Sequence, residues 1–224
     1  MDFETLSHSQ LKTIAHIYNL PGKTKEELVT TLSAHYYKLK KYMSYTYIRQ
    51  LGSEGKDGRT FLVKDRKRKE YALKLFRDNK NVNQIQKEVD FQVMCSECGI
   101  APKIVDFDIK GKYIVMEKLD DTLYDYFVKQ NGQLTISQQK HAVNLFKKLD
   151  DCGVLHGDPN PLNFMKKGRK WYMIDYGFAE KITSTTRRRF GKNPNFKCMT
   201  LGLLLKLRDI YPETKLEYLE QVMK

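Results

Sequence analysis

The stretch "VLHGDPNPLNFM", Val154 to Met165, decides how the rest of the chain is read. It sets His156, Asp158 and Asn163 close together, with Pro159 and Pro161 between the acid and the amide. Each proline fixes its own φ and withholds a backbone donor, so the segment is a stiff loop. Such a loop is either an ordinary turn or a device that holds two polar side chains at a set separation.

On its carboxyl side, "NFMKKG" and "KWYMIDYG" read as the arms of a short hairpin, which puts Asp175 after an apolar strand and before Gly177. On its amino side, "TLYDYFVKQNG" and "TISQQKHAVNLFKKLDDCG" show helical apolar spacing with glycine stops. Further upstream the period shortens. "TYIRQLG", "RTFLVKD" and "EYALKLF" read as strands, "NVNQIQKEVDFQVMCSECG" as a helix ending at Gly99, and "KIVDFDIKGKYIVMEKL" as a hairpin turning at Lys110-Gly111. Residues 194–224 return to helix around "MTLGLLLKL".

Residues 1–40 are also helical in pattern. Leu6, Leu11, Ile14 and Ile17 lie on one segment and Leu28, Val29 and Leu32 on a second, separated by Pro21-Gly22. Thr24 and Glu27 have capping-box spacing, which starts the second helix.

Hydrophobic residues make up 41% of the 224, enough for a genuine core, so wholesale disorder is excluded. No apolar run has the length of a bilayer span. "MDFETLSHSQ" lacks the basic and apolar regions of a secretory signal, so an intracellular protein with no membrane partner is expected. Cys95, Cys98, Cys152 and Cys198 are then expected as reduced thiols, because "CSEC" alone is half a zinc site. The formal charge of +13 favours a polyanionic partner, whether nucleic acid, acidic protein or nucleotide phosphate, and is equally compatible with a basic solvated surface. "KDRKRKE" and "RRR" are expected in exposed turns.

Five features carry the candidate chemistry, each with a plainer reading beside it. Gly52, Gly55 and Gly58 lie between two strands, where a glycine-rich tip presents N–H groups to phosphates or is simply a turn. Lys74 sits in the apolar strand "YALKLF", where a lysine is costly unless paired, or snorkels from an edge strand. Glu88 on the next helix is its natural partner, or a surface acid. Asp158 with Asn163, and Asp175 in "MIDYGF", complete the series.

This order resembles the protein-kinase signature: a glycine-rich loop, a strand Lys, a helix Glu, HxD with Asn five residues on, and Asp-aromatic-Gly. The resemblance covers about residues 45–180 and implies an α+β, two-lobed protein-kinase-like fold with a reduced C-lobe. "YIVMEKL", "LFKKLDDCGVLHGDPNPLNFM" and "MTLGLLLKL" resemble compact Ser/Thr kinases of large DNA viruses, and the economy of the carboxyl-terminal part is similar to atypical kinases of the RIO and tRNA-modification-complex type. The resemblance implies ATP and Mg²⁺ as cofactors and a protein substrate phosphorylated on Ser or Thr, autophosphorylation included. It gives Lys74 the α- and β-phosphates and Glu88 the fixing of Lys74, with Asp175 and Asn163 on Mg²⁺ and Asp158 at the attacking hydroxyl. Met116 would guard the adenine pocket, and Glu117 to Leu119 would offer backbone hydrogen bonds to the base. A kinase-fold ATPase or small-molecule kinase, and a non-catalytic DNA- or protein-binding scaffold, are the competing readings.

The chain departs from that pattern in four places. Gly52 and Gly55 are one residue further apart than usual, Asn160 stands where a Lys is common, and Gly157 replaces a frequent Arg. No Ala-Pro-Glu follows Asp175, which leaves the peptide platform short. The Arg pairs with a phosphorylated activation loop in many kinases, so an enzyme without that switch is expected.

"LSHSQLKTIAHIYNLPGKTKEELVTTL" resembles a SAP-like helix-extended-loop-helix motif, which implies DNA contact through Lys23 and Lys25. A pair of helices that merely packs or recruits a protein fits the same residues. The expected organisation is a helical module over 1–42, an N-lobe over 43–119 and a C-lobe over 120–224.

Overall fold

The computed structural model describes residues 3–34 and 44–224, so the expected boundary near residue 42 lies outside the described residues. The chain forms two compact units, Met1–Lys80 with Phe107–Val115, and Asn81–Asp106 with Met116–Lys224. The fold class is α+β, as the alternation of period-2 and helical patterns predicts.

The first unit begins with α1 (His8–Ile17) and α2 (Lys25–Ala34). Ser7 and Gln10 make a reciprocal capping box at the start of α1. Ahead of α2, the Thr24 hydroxyl accepts from the Glu27 N–H, and the Glu27 carboxylate accepts from the Lys23 and Thr24 N–H groups. These two backbone donors hold the Glu27 carboxyl below its usual range. Five strands follow: β1 (Thr46–Leu51), β2 (Gly58–Lys64), β3 (Glu70–Phe76), β4 (Ile104–Asp108) and β5 (Tyr113–Glu117). Their sheet order is β1-β2-β3-β5-β4, with β1–β2 and β2–β3 antiparallel. β3 is therefore an interior strand, which removes the edge-strand account of Lys74. The turn between β2 and β3 is built by Asp65, whose Oδ1 accepts from the Lys67 and Lys69 N–H groups, so "KDRKRKE" is a hairpin tip as expected.

Leu11, Ala15, Leu28 and Leu32 of the helices share one buried cluster with Phe61, Val63, Leu73, Leu75, Tyr113 and Val115 of the sheet. The amino-terminal pair thus spends its apolar stripe on the sheet. Neither the spacing of Leu11 nor that of Leu28 could reveal this, because an amphipathic helix does not name its partner.

The second unit opens with α3 (Val82–Glu97), followed after the strands by α4 (Leu123–Lys129) and α5 (Ile136–Asp151). Short strands come next: β6 (Val154–Leu155), β7 (Phe164–Lys167), β8 (Lys170–Met173) and β9 (Glu180–Lys181). The chain ends with α6 (Ser184–Phe190), α7 (Pro194–Ile210) and α8 (Glu217–Gln221). β7 and β8 form the expected hairpin, and β6 pairs with β9. Arg187, Arg188 and Arg189 stand in the last turn of α6, so "RRR" is helical and not the turn the sequence suggests. Cations at a helix C-terminus oppose its negative end, which favours that placement. The core joins Phe91, Cys95 and Ile100 to Leu145, Phe146 and Leu149 of α5 and to Met199, Leu203 and Leu207 of α7.

Two of the four expected thiols are bonded to each other. Cys98 and Cys152 are the C-cap residues of α3 and α5, and each is followed by a glycine with positive φ. Their Cα atoms are 6.3 Å apart across 54 residues of sequence, a proximity that no local pattern encodes. A loop of that length makes the bond worth about 4 kcal/mol in the chain-entropy account.

Because α1 and α2 share the sheet's core, truncating Leu28 should act on the whole unit. Leu28→Ala is expected to destabilise it by about 3 kcal/mol in urea unfolding. An unchanged unfolding midpoint for the sheet would show that the helices fold apart from it.

Candidate active site

The loop after β6 is anchored from below by two buried side chains. Asp150, in the last turn of α5, accepts from the Asn195 backbone N–H at 2.8 Å and from its Nδ2 at 2.9 Å through one oxygen. Its other oxygen accepts from the Phe196 N–H at 2.9 Å. The acid thus caps α7 across space, which settles a carboxylate otherwise misplaced at a helix C-terminus. Asn195, fully buried, turns its side chain to the loop: Nδ2 donates to the Val154 carbonyl at 2.7 Å and Oδ1 accepts from the His156 N–H at 3.0 Å. One amide therefore grips the backbone two residues apart, as a neighbouring strand would.

His156 passes the constraint on. Its Nε2 lies 3.1 Å from the Ile174 carbonyl, which can only accept, so Nε2 carries the proton. Nδ1 then accepts from the Asp158 N–H at 3.4 Å. Burial pushes the His156 pKa down, against the pull of the Ile174 carbonyl and the charges of Asp175 and Asp158. A neutral ring with both nitrogens occupied is a strut and not a proton carrier.

Asp158 is held at both oxygens. Oδ1 accepts from the Asn160 N–H at 3.1 Å, and Oδ2 accepts from Asn163 Nδ2 at 2.9 Å. Asn163 is thereby oriented with its amide oxygen as the remaining acceptor. The Asn160 side chain accepts from the Leu162 N–H at 3.0 Å, capping the 3-10 turn Pro161–Asn163. Asn160 shapes the loop where a lysine would reach for a phosphate. Gly157 has φ +81°, and a Cβ there would lie 3.2 Å from the Phe178 carbonyl. Its identity follows from that left-handed backbone and close approach, in addition to the absent cation.

Asp175 adopts φ 65°, ψ 75°, a left-handed conformation costly for a residue with a Cβ. It belongs to the same unit as Glu88, which is buried on α3, and their carboxylate oxygens lie within 4.8 Å of each other. Two acids so close favour a cation between or beside them. All the candidate ligands offer oxygen, which suits a hard ion such as Mg²⁺. Met116 is buried on β5, with its sulfur 3.4 Å from Gln92 Nε2. The Glu117 N–H is taken by the Lys103 carbonyl at 3.0 Å. Burial would raise the Glu117 carboxyl, but the Lys103 N–H and the Lys167 ammonium together draw it below its usual range. Leu119 is buried.

In the other unit, Lys74 lies half-buried on β3, with its ammonium 5.0 Å from the Phe76 ring centroid. The glycine-rich tip is braced by Glu54, which pairs with Arg59 at 2.8 Å and Arg77 at 2.7 Å, and by Asp57, which pairs with Lys80 at 2.6 Å. Arg59 and then Arg77 hold the Glu54 carboxyl below its ordinary range. Gly52 has φ +66°, whereas Gly58 is demanded by packing: a Cβ there would sit 2.0 Å from the Leu75 carbonyl. Gly55 donates its N–H to the Gly58 carbonyl at 3.0 Å.

Asp150 and Asn195 are the residues that sequence reasoning missed. "KLDDCG" and "KNPNF" look like a helix end and a helix start, and nothing local links Asp150 to Asn195, 45 positions further on.

No protein-family model matches the chain. It is 26% identical over 118 residues to a probable serine/threonine-protein kinase BUD32 homolog of Archaeoglobus fulgidus, covering 53% of this chain and 57% of the relative. It is also 26% identical over 121 residues to the KEOPS complex subunit Bud32 of Pyrococcus abyssi, covering 53% and 55%. A probable bifunctional tRNA threonylcarbamoyladenosine biosynthesis protein of Methanosarcina barkeri is 25% identical over 126 residues, 56% of this chain and 22% of that protein. The match spans little more than half of the first two relatives and about a fifth of the third. With these relatives, the α+β architecture is a protein-kinase-like fold, similar to atypical kinases of the Bud32 type.

Two outcomes follow from the buried network. Asn195→Ala removes the partner of three buried groups and is expected to cost about 3 kcal/mol in urea unfolding, with Asn195→Asp no better because it sets a second acid against Asp150. His156 is buried neutral, so below its unfolded pKa the unfolded chain binds the extra proton and the folded one does not. Stability should therefore fall as the pH drops below about 6.5, by up to ~1.4 kcal/mol per pH unit, and His156→Gln should flatten that slope in unfolding curves taken from pH 7 to 5.

Proposed function

We propose that the chain is a kinase-fold enzyme that binds ATP with Mg²⁺ and transfers the terminal phosphoryl group, with ATP hydrolysis as its principal reaction. The observation that carries this reading is the Asp158–Asn163 contact at 2.9 Å, which couples a proton acceptor to an oxygen ligand on one rigid loop. Phosphoryl transfer asks the protein for positioning and charge neutralisation more than covalent chemistry. Asp158 would orient the attacking oxygen and accept its proton. Asn163 and Asp175 would hold Mg²⁺, which neutralises charge on the phosphate oxygens when bound. Lys74 would engage the α- and β-phosphates, and Glu88 would fix Lys74. Gly52, Gly55 and Gly58 would border the nucleotide, with Met116, Glu117 and Leu119 at the base. Because the Glu117 N–H is taken, that residue would offer its carbonyl.

Water is favoured as acceptor because little in the chain serves a peptide. Asn160 offers a neutral amide, its oxygen engaged in the 3-10 turn, where a lysine would neutralise the moving phosphoryl group. The segment from Asp175 to α7 is also short, which leaves little platform for a peptide. Transfer to protein Ser or Thr is the second reading, supported by the name of the Archaeoglobus relative. The names of the Pyrococcus and Methanosarcina relatives suggest a protein complex that serves tRNA modification, and we place this chain in that setting. A DNA-binding role for residues 1–42 and the likeness to kinases of large DNA viruses draw nothing from those names.

Labelled ATP distinguishes these readings. Free phosphate released by the wild-type chain, and reduced by a factor of about 10²–10⁴ in Asp158→Ala and Asp175→Ala, is the expected result. Label accumulating on protein would favour the second reading. No turnover, and no rise in melting temperature with Mg-ATP, would overturn both.

A further inference from the structure

The disulfide sits where it can act on the loop that carries Asp158. Cys152 ends α5 and is followed directly by Gly153, Val154 and the loop. Cys98 ends α3, the helix that bears Glu88. The bond therefore ties the carboxyl ends of two helices, each of which positions a candidate site residue.

Three observations separate this bond from a purely structural staple. First, Cys98 is exposed, so a small thiol or disulfide can reach its sulfur. Second, the bond is not the only thing that unites these helices: Phe91 and Cys95 of α3 lie in the same buried core as Leu145, Phe146 and Leu149 of α5. Third, competing exchange is suppressed. Cys95, three residues from Cys98, is fully buried, and burial pushes its thiol up to about 11, against the hydrogen bond it shares with Tyr176. A thiol that is buried and protonated attacks disulfides poorly.

We propose that Cys98 and Cys152 form a reversible dithiol–disulfide switch that sets how firmly the loop of Asp158 is held. In the oxidising direction, the Cys98 thiolate attacks a low-molecular-weight disulfide such as oxidised glutathione, giving a mixed disulfide and one free thiol. The Cys152 thiolate then attacks the Cys98 sulfur, forming the protein bond and releasing the second thiol. The two protein thiols lose two protons and two electrons, and the oxidant gains them. Oxidised, the start of the loop is tied to α3. Reduced, the start of the loop keeps Asn195 on Val154 and His156 and the pairing of β6 with β9, but loses its covalent tie to α3. Preorganisation makes the oxidised form the faster enzyme. That effect on rate rests on the phosphoryl-transfer reading, while the effect on order does not.

The test equilibrates the full chain in reduced and oxidised glutathione at a series of ratios, then counts maleimide-accessible thiols by mass. Cys98 and Cys152 should lose reactivity together and recover it together. The oxidised form should melt roughly 5–10 °C higher. Amides of residues 152–163 should exchange more slowly in it, and ATP turnover should be about threefold faster or more. Cys98→Ser should behave as the reduced form at every ratio. Thiols that never pair, a bond that persists in reduced glutathione, or equal exchange at 152–163 in both states would each overturn the switch. Changed exchange with no turnover in either state would uphold the switch and remove the phosphoryl-transfer reading. Changed exchange with equal turnover would reject the control of rate.

Discussion

The arrangement of the candidate site depends on a single buried amide. Asn195 receives its orientation from Asp150 and gives it to the backbone at Val154 and His156. A buried polar group is costly unless every donor and acceptor is satisfied, and here the satisfaction is mutual. Asp150 caps α7, α7 presents Asn195, and Asn195 holds the strand that leads to Asp158. Moving any one of them unpairs the other two. The neutral His156 carries the same constraint to the backbone just before Asp175, so the two acids of the loop region share a frame.

Much of this was legible because the chemistry-bearing residues come in linear order on elements with strong local signals. Lys74 lies in an apolar strand run, Glu88 on a helix that a glycine ends, and Asp158 between prolines. The strand and helix periods around them were clear enough to give the α+β class. What was not legible is the set of long-range pairings. Asn195 reads locally as a residue beside a helix-starting proline, and Asp150 as one of two acids before Cys152. Only the packing of α5 against α7 makes them partners. The disulfide escaped for the same reason, since Cys98 shares a CxxC with Cys95 and its true partner is far along the chain.

Gly157, Gly58 and Asn160 show a different limit. In the sequence, Gly58 reads as part of a ligand-binding pattern, and Gly157 and Asn160 as departures from one. Gly58 is required by the closeness of β2 to β3, and Gly157 by its left-handed φ beside Phe178. Asn160 is accounted for by a turn it caps. Backbone needs of this kind are local in cause but invisible in a linear motif, because the motif records the residue and not its φ. They also cut into function. Asn160 spends its side-chain oxygen on the turn, so what it can offer a phosphate is a neutral N–H and not a charge.

The shared core of α1, α2 and the sheet bears on the order of events during synthesis. Leu11 and Leu28 are made well before Tyr113 and Val115, which belong to the same cluster but follow α3 in the sequence. Helices this short are marginal alone in water. Phe61, Val63, Leu73 and Leu75 can cover part of the helices' apolar stripe early, but Tyr113 and Val115 complete the cluster only after α3 has been made. In between come residues 81–106, which belong to the other unit. The first unit is therefore completed only after a segment of the second has been made, so the two units cannot fold strictly one after the other.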